Sequence, residues 1–374
     1  MSRLPHALIV RDRISDNLGY PISRINNMSN FILPFSKLTK HDVSIAGGKG
    51  ASLGEMTAAR MPVPPGFVII VSAFDRFLAE TDLAVEIETQ LNKVNYQDTN
   101  SVDKASNVIR DLLHDARMPK DLQSEILTEY KKLFTSFPKA RSRDRAFGGD
   151  RGGFVAVRSS ATAEDSTVAS WAGELETYLN TTEKVLLGNV KKCWSSLFTP
   201  RAIFYRFEKG LRNSKVSVAV VVQKMINSEI SGVAFTVHPV TKDKNQMVIE
   251  AGFGLGEAIV SGQITPDSYV IDKKDFSILD INISEQKKML IRRRGHVTAP
   301  SGGKTTATAP SGGNEWKTVP KAKQETQILS GKQIIELAEL CVQIEKHYGK
   351  PQDIEWASEK GKFYITQSRP ITTL

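Results

Sequence analysis

The C-terminal end of the sequence combines acidic, amide and cationic side chains at a spacing that could hold a metal ion and phosphates. The segment DIEWASEKGKFYITQSRP reads as two alternating strands around a turn at Gly361. That turn sets Glu355 opposite Gln367, and it sets Asp353 opposite Arg369 on the same face. Carboxylate and amide oxygens suit Mg²⁺, which keeps substrate phosphates among its ligands. An exposed hairpin with a surface ion pair is an equally good interpretation of this segment by itself.

A second segment, FVAVRSSAT, runs from a buried strand into groups that can bind anions. Phe154–Val157 are four consecutive apolar residues, which is typical of a buried strand. Arg158 follows, and then come the hydroxyl side chains of Ser159, Ser160 and Thr162, which we expect in a turn. A guanidinium fork, hydroxyls and backbone N–H groups together could hold a phosphate. A surface arginine before a Ser/Thr-rich turn is the alternative.

A glycine-rich turn with a lysine lies near the N-terminal end. Gly47–Gly50 reads GGKG, a short helix is predicted over Ala51–Ala59, and the strand Phe67–Val71 follows three prolines. Lys49 could approach a phosphate from such a turn. The segment lacks the first glycine and the final hydroxyl residue that the Walker A pattern requires. A glycine turn before a helix, with a solvated lysine, is the alternative.

The elements that must position these groups alternate between helix and strand patterns. Most of Ala73–Tyr130 has apolar residues at three- and four-residue spacing, which predicts helices covering a sheet that contains Phe67–Val71 and Phe154–Val157. A further helix is predicted from a capping box at Ser330 to Gly349. The remaining predicted elements are helices over Lys184–Phe198 and Thr199–Glu208, and strands over Val216–Met225, Gly232–Val237 and Gln246–Glu250.

Three other stretches have distinct patterns. Residues 1–35 show no strong periodicity and read as an N-terminal extension. Residues 297–320 contain APSGG twice, and their low complexity predicts a mobile surface loop. The segment GFGLGE fails the dinucleotide fingerprint because Glu257 stands where a third glycine is required. Its glycines indicate a close approach of the backbone to a neighbour or a ligand.

Charge and cysteine content narrow the classes of partner. The 374 residues include 50 Lys and Arg against 41 Asp and Glu, and this excess favours anionic partners such as nucleotides. The basic runs Arg141–Arg151 and Lys287–Arg294 contain one aromatic residue, so nucleic-acid binding is not favoured. Two cysteines that lie far apart in the sequence fit a reducing cytoplasm. The sequence has no run of 18 apolar residues, so no membrane span is expected.

Ten segments occur in an order that carries a family resemblance: GGKGASLGEM, VPPGFVI, FVAVRSSATAEDS, SWAGELETYLN, VVVQKMI, SGVAFT, GLGEAIVSG, TPDSYVID, EKHYGKPQDIEWA and ITQSRP. Together they resemble the ATP-binding part of the phosphoenolpyruvate synthase and pyruvate phosphate dikinase family, in a chain like the stand-alone ATP-binding subunit of phenylphosphate synthase. The resemblance implies an α+β, ATP-grasp-like fold. Two lobes, which we expect over residues 36–215 and 216–374, would clamp ATP between them.

The resemblance also implies roles for individual residues. Lys49, Arg158 and Arg369 match groups that contact the ATP phosphates and offset charge during the reaction. Glu355 and Gln367 match metal ligands, with Mg²⁺ as the metal. The other implied ATP contacts are Gly173, Thr177, Gln223 and Asp353.

The family reaction implies a partner. A histidine on a mobile domain takes the β- and γ-phosphates of ATP and AMP leaves. Phosphate is then lost to water, and the remaining phosphoryl group passes to an acceptor such as pyruvate or a phenol. None of the six histidines lies in the glycine-rich segment that marks that domain, so we expect a phosphohistidine- and acceptor-domain subunit in trans. The alternatives are an ATP-binding domain of the rifampicin phosphotransferase type and a nucleotide-binding regulatory module without turnover.

Overall fold

A computed structural model of the chain describes residues 31–135, 153–162, 165–166, 169–170, 176–210, 217–293 and 313–372. Its mixture of helices and strands confirms the predicted α+β class. The helices are α1 (Val43–Ala58), α2 (Val71–Glu80), α3 (Leu83–Asn92), α4 (Thr99–Asp115), α5 (Lys120–Thr135), α6 (Glu183–Ser195), α7 (Pro200–Glu208), α8 (Glu257–Val260) and α9 (Gly331–Tyr348). The strands are β1 (Ile32–Pro34), β2 (Gly66–Ile69), β3 (Val155–Ala161), β4 (Asp165–Ser166), β5 (Ala169–Ser170), β6 (Thr177–Thr181), β7 (Val218–Lys224), β8 (Ile230–Phe235), β9 (Gln246–Phe253), β10 (Asp267–Asp272), β11 (Ile278–Asn282), β12 (Lys288–Arg292), β13 (Asn314–Thr318), β14 (Gln352–Glu359) and β15 (Lys362–Pro370).

The first sheet has five strands in the order β1-β2-β7-β3-β6, with every neighbouring pair antiparallel. Its central strand β7 is an almost continuous run of buried valines. On one face lie α6 and α2, where the Trp194 ring stacks on Phe74 and Phe77. The predicted sheet that contains both β2 and β3 under a helical layer is therefore confirmed.

Strand β3 continues beyond the predicted strand and through the small hydroxyl residues. The Ser159 hydroxyl faces α6 and lies 3.2 Å from the Cys193 carbonyl oxygen. The Ser160 hydroxyl faces the other side of the sheet and donates to the Ala46 carbonyl at 2.9 Å. Both serines are buried, so the prediction that a hydroxyl-rich turn completes an anion site is wrong. Arg158 remains the group of this segment that can reach a ligand.

Helix α1 carries Lys49 and is interrupted at Gly47. The Gly47 backbone has φ 68° and ψ 171°, so the predicted turn and short helix form one helix with a kink. A Cβ atom at Gly47 would lie 2.3 Å from the Ser160 carbonyl oxygen. The backbone N–H of Gly50 donates to the Ser160 hydroxyl at 3.2 Å. Close contact with β3 therefore determines where Lys49 lies.

Replacing Gly47 with alanine should lower the free energy of unfolding by about 3 kcal/mol, because a left-handed backbone and a clash with β3 both penalise a side chain. Urea unfolding followed by circular dichroism measures the change. Gly188→Ala in α6 is the matched control, since no heavy atom lies within 4 Å of its Cβ position. It should raise stability by up to about 1 kcal/mol. Equal effects of the two substitutions would contradict the assigned role of Gly47.

The second sheet has six strands in the order β11-β10-β9-β8-β14-β15. Ile354, Ala234, Ile249 and Tyr269 lie in register across four strands and are buried in the core that includes the apolar side of α9. That helix begins at the predicted capping box, and it ends at Gly349. The opposite face of the sheet carries the polar residues of the hairpin.

The β14–β15 hairpin contains the predicted polar pairs, but Glu359 pairs with Lys362 beside the turn and a register shift between Glu355 and Trp356 brings the polar pairs into place. Glu355 pairs with Gln367, and Asp353 pairs with Arg369. The connection contains Gly361, whose φ is 75°. Because side chains of directly paired residues share a face, all four polar groups lie on one side of the hairpin.

Several predicted boundaries change. The N-terminal extension over 1–35 is wrong at its end because Ile32–Pro34 form β1 and pair with β2. The predicted loop over 297–320 is wrong at its end because Asn314–Thr318 form β13 and pair with β12. The rest of both stretches, residues 1–30 and 297–312, lies outside the described residues. The basic run over 141–151 also lies outside them.

The division into lobes at residues 215 and 216 stays a prediction. Strand β7 belongs to the first sheet and β8 to the second, so the change of sheet occurs between Lys224 and Ile230. A hydrophobic core shared by α1, α9 and both sheets joins the described residues from Ile32 onward in one compact unit.

Two features of the structure bear on the predictions about membrane spans and cysteines. No helix in the part of the chain that the structure describes is long and apolar enough to cross a membrane. Cys193 and Cys341 are both buried free thiols, and burial raises the pKa of each to about 12.

Candidate active site

A cavity of about 380 Å³ is lined by residues from both sheets. The first sheet contributes β3, β6 and β7, and the second contributes β8, β14 and β15, with α1 and α8 at the sides. Asp353 lies beside the cavity, bonded to a residue that lines it, and Gly173 lies outside the described residues. The remaining seven residues of the predicted ATP site all line this cavity: Lys49, Arg158, Thr177, Gln223, Glu355, Gln367 and Arg369.

The Arg158 side chain extends from the first sheet to the second. Its Nη1 donates to the Thr366 carbonyl at 3.1 Å, and its Nη2 lies 3.9 Å from Glu355 Oε2. The side chain is only 13% exposed. This arrangement places one guanidinium against the hairpin, where a phosphate group could replace its contact with Glu355.

Arg369 is held by its cross-strand partner. Its Nε and Nη2 donate to Asp353 Oδ2 at 2.8 and 2.7 Å. Asp353 is therefore placed to orient the Arg369 guanidinium at the rim of the cavity. About half of the Arg369 side chain remains exposed, so it can also meet a ligand.

Glu355 and Gln367 offer the oxygen ligands that suit a hard cation. They are directly paired, Gln367 is buried, and the Thr366 hydroxyl donates to the Glu355 carbonyl at 3.2 Å. Among the described residues, no cluster of three or more His, Cys, Asp or Glu side chains could hold a metal ion. The Glu355 carboxylate and the Gln367 amide oxygen nevertheless fit Mg²⁺, which is commonly bound by one or two protein ligands together with substrate phosphates.

A further carboxylate lies on the same face of the second sheet. Val233 pairs with Glu355 on one side and with Glu250 on the other. Burial, and then the nearby charge of Asp353, raise the pKa of the Glu250 carboxyl above its ordinary value. This face of the sheet is therefore acidic, whereas Arg158 approaches the cavity from the first sheet and Lys49 from helix α1.

Gln223 supplies a buried amide at the end of β7. It lies in register between Gly66 and Ala156 and is only 2% exposed. Its Nε2 atom is a buried donor without a hydrogen-bond partner among the described groups. An unsatisfied buried donor is costly, so a ligand that accepts from Gln223 would be stabilised here. The acceptor and donor of one amide together match the edge of a purine base.

Comparison with known proteins identifies the family. Residues 43–374 match the model of the pyruvate phosphate dikinase AMP/ATP-binding domain.

The chain belongs to the pyruvate phosphate dikinase AMP/ATP-binding domain family.

Relatives of this dikinase domain include much longer proteins. The chain is 45% identical over 345 residues to a probable phosphoenolpyruvate synthase from Methanocaldococcus jannaschii, covering 92% of this chain and 27% of that protein. It is 46% identical over 344 residues to a probable phosphoenolpyruvate synthase from Archaeoglobus fulgidus, covering 92% and 42%. It is 35% identical over 349 residues to the rifampicin phosphotransferase of Bacillus subtilis, covering 93% and 36%. The predicted family resemblance is confirmed, and the chain spans less than half the length of each of these relatives.

Among the residues that line the cavity of this dikinase domain, Glu257 carries a charge and had no role assigned from the sequence. Glu257, the first residue of α8, lines the cavity together with Val260 and Ser261. In the sequence, Glu257 is the residue that breaks a dinucleotide fingerprint. The signal was the position of a carboxylate directly after a glycine-rich turn that follows a buried strand, where the backbone closely approaches its neighbours.

Proposed function

We propose that the cavity binds ATP with Mg²⁺ and that the chain is the ATP-binding part of a phosphoenolpyruvate synthase-like dikinase. One observation carries the proposal. Three cationic side chains and a glutamate–glutamine pair, contributed by distant parts of the chain, line a single cavity with a buried amide. Family membership supports the choice of ATP over other polyanions.

The cavity residues divide into three groups along the nucleotide. Gln223 would meet the adenine, whose amino group and ring nitrogen complement its amide. Lys49, Arg158 and Arg369 would contact the phosphates, with Thr177 beside them and Asp353 orienting Arg369. Glu355 and Gln367 would hold Mg²⁺, which supplies charge neutralisation and alignment of the phosphates.

The chain's own residues would position the phosphates rather than attack them. A histidine nitrogen of another domain would form a bond to the β-phosphorus, the bond between that phosphorus and the oxygen bridging it to the α-phosphate would break, and AMP would leave. The cations lining the cavity would offset the negative charge that develops on the departing AMP. The pyrophosphorylated histidine would then lose phosphate to water and pass its phosphoryl group to an acceptor such as pyruvate or a phenol.

The partner, the acceptor and the compartment are parts of this proposal. The long relatives extend well beyond the part that matches this chain, and we propose that a phosphohistidine domain and an acceptor domain complete the reaction, supplied by a partner polypeptide. The similarity to a rifampicin phosphotransferase favours a domain of that type as the second candidate. A cytoplasmic location would suit the two buried free thiols.

AMP formation in the presence of ATP and Mg²⁺ tests the proposal. The chain by itself should bind ATP and release little AMP, and adding a phosphohistidine-domain polypeptide should make AMP release depend on that polypeptide. Robust AMP release by the chain alone would overturn the histidine in trans. Binding of ATP without turnover for any partner would support a regulatory module, and failure to bind ATP would reject the nucleotide site.

A further inference from the structure

Two hydrogen bonds connect the wall of the cavity to the β12–β13 hairpin. Asn314, the first residue of β13, donates through Nδ2 to Glu257 Oε2 at 2.6 Å. The Oδ1 atom of Asn314 accepts a short hydrogen bond from Asn180 Nδ2. Asn180 belongs to β6 in the first sheet. Asn314 thus joins the first sheet to the short helix α8, which follows β9 of the second sheet.

The chemistry of Glu257 determines how both amides are oriented. An ionised carboxylate only accepts hydrogen bonds, so Asn314 must turn its NH₂ group toward Glu257. Its oxygen then faces Asn180, which must donate in turn. The Glu257 carboxylate therefore determines which way the amide groups of Asn314 and Asn180 face.

Asn180 is a rigid end point for this chain of hydrogen bonds. It is completely buried and has a left-handed backbone with φ 52°. It lies where the pairing of β3 with β6 is irregular, between the pairs Val155–Thr181 and Val157–Tyr178. Asparagine adopts this backbone more readily than most residues with a side chain. A fixed donor therefore holds Asn314, and Asn314 can hold Glu257.

We propose that Asn314 is a positioning residue that aims the Glu257 carboxylate at the ribose hydroxyls of the bound nucleotide. This inference rests on the proposed ATP site. A carboxylate that lines a cavity for a polyanion repels phosphates, so it must meet either the metal ion or hydrogen-bond donors of the ligand. The proposed site assigns the metal to Glu355 and Gln367, which leaves the donors for Glu257. The donors of ATP are the two ribose hydroxyls and the adenine amino group. The Gln223 amide offers an acceptor for the amino group, which leaves the hydroxyls to Glu257.

The test compares ATP with 2′,3′-dideoxy-ATP, which lacks both hydroxyls, by equilibrium binding to the whole chain. The wild-type protein should bind ATP about tenfold or more tightly than the dideoxy nucleotide, the size expected for hydrogen bonds to a charged group. Asn314→Asp keeps the size of the side chain and the acceptor toward Asn180, but it removes the donor and repels Glu257. It should reduce the preference to about twofold or less while the affinity for the dideoxy nucleotide stays within about twofold.

Two further variants make the test specific. Glu257→Gln should remove the preference to a similar extent, and combining it with Asn314→Asp should cause little further loss, because the two residues act as one unit. Asn282→Ala on the exposed edge strand β11 is the matched asparagine control and should keep the wild-type preference.

Each contrary outcome has a distinct meaning. Equal weakening of both nucleotides by Asn314→Asp, or an unchanged preference, would overturn the positioning role. A wild-type protein that binds both nucleotides equally would overturn the contact of Glu257 with the hydroxyls and leave ATP binding intact. A wild-type protein that binds neither nucleotide would reject the proposed function itself.

Discussion

Replacing Arg158 with alanine should reduce partner-dependent AMP formation by about a thousandfold. The guanidinium is held between the two sheets by the Thr366 carbonyl, at the place where phosphates would lie against the hairpin. A preorganised donor in a water-poor cavity is worth far more to a charged transition state than a solvated one. Measurement of AMP release at saturating ATP, with a fixed concentration of the phosphohistidine-domain polypeptide, gives the effect.

The fold should survive the Arg158 substitution. With the described residues, the side chain makes one hydrogen bond and a 3.9 Å ion pair, so the free energy of unfolding should change by no more than about 2 kcal/mol. Arg158→Lys keeps the charge and loses the fork, and it should be intermediate in activity. Arg76→Ala in α2 is the matched control: Arg76 pairs with Glu80 and Asp121 away from the cavity and should leave AMP release unchanged. Unchanged turnover in Arg158→Ala would remove this residue from the site.

Replacing Glu355 with glutamine should weaken the binding of ATP in the presence of Mg²⁺ and should not weaken it in the absence of Mg²⁺. Loss of a ligand charge should weaken Mg²⁺-dependent ATP binding by at least about a hundredfold, a loss at the upper end of those seen when groups that merely support metal ligands are changed. Without Mg²⁺, the carboxylate repels the phosphates, so the glutamine variant should bind ATP as tightly as the wild type or more tightly. Titration calorimetry at several Mg²⁺ concentrations measures both affinities.

Glu359→Gln provides the comparison on the same strand. Glu359 is the last residue of β14, beyond the residues that line the cavity, and its substitution should leave both affinities unchanged. A Glu355 variant that loses affinity equally with and without Mg²⁺ would show that Glu355 shapes the cavity and does not bind the metal. A variant with normal Mg²⁺ dependence would assign the metal to other groups.

The acidic half of the cavity could be predicted because its geometry is local. A strand has a side-chain period of two, and a turn at Gly361 determines which residues face each other. Those two rules predict Glu355 opposite Gln367 and Asp353 opposite Arg369, and the structure contains both pairs. The rules alone are not sufficient, because the connection is the two residues Lys360 and Gly361, and a register shift between Glu355 and Trp356 restores the predicted pairs. The start of α9 at its capping box was predictable for the same reason, since the bonds join residues three apart.

The hydrogen-bond partners of the Ser159 and Ser160 hydroxyls could not be predicted from the sequence. Ser159 and Ser160 have the composition of a ligand-binding turn, yet the residues that bond to them come from α6 and from the region around Gly47. Strands β1 and β13 were missed for a similar reason. Strand β1 has only three residues and ends at a proline, and β13 is mainly polar; each is stabilised by pairing with another strand.

The sequence by itself determined the strands, helices and register that depend on neighbours within a few residues, and its ordered motifs identified the family. Tertiary structure alone decided that Lys49, Arg158 and Gln223 share one cavity with Glu355 and Gln367. It also decided that Asn314 and Glu257 meet. The physical reason is that backbone periodicity repeats over a few residues, whereas a cavity forms only where packing of the sheets and α1 brings together side chains separated by hundreds of residues.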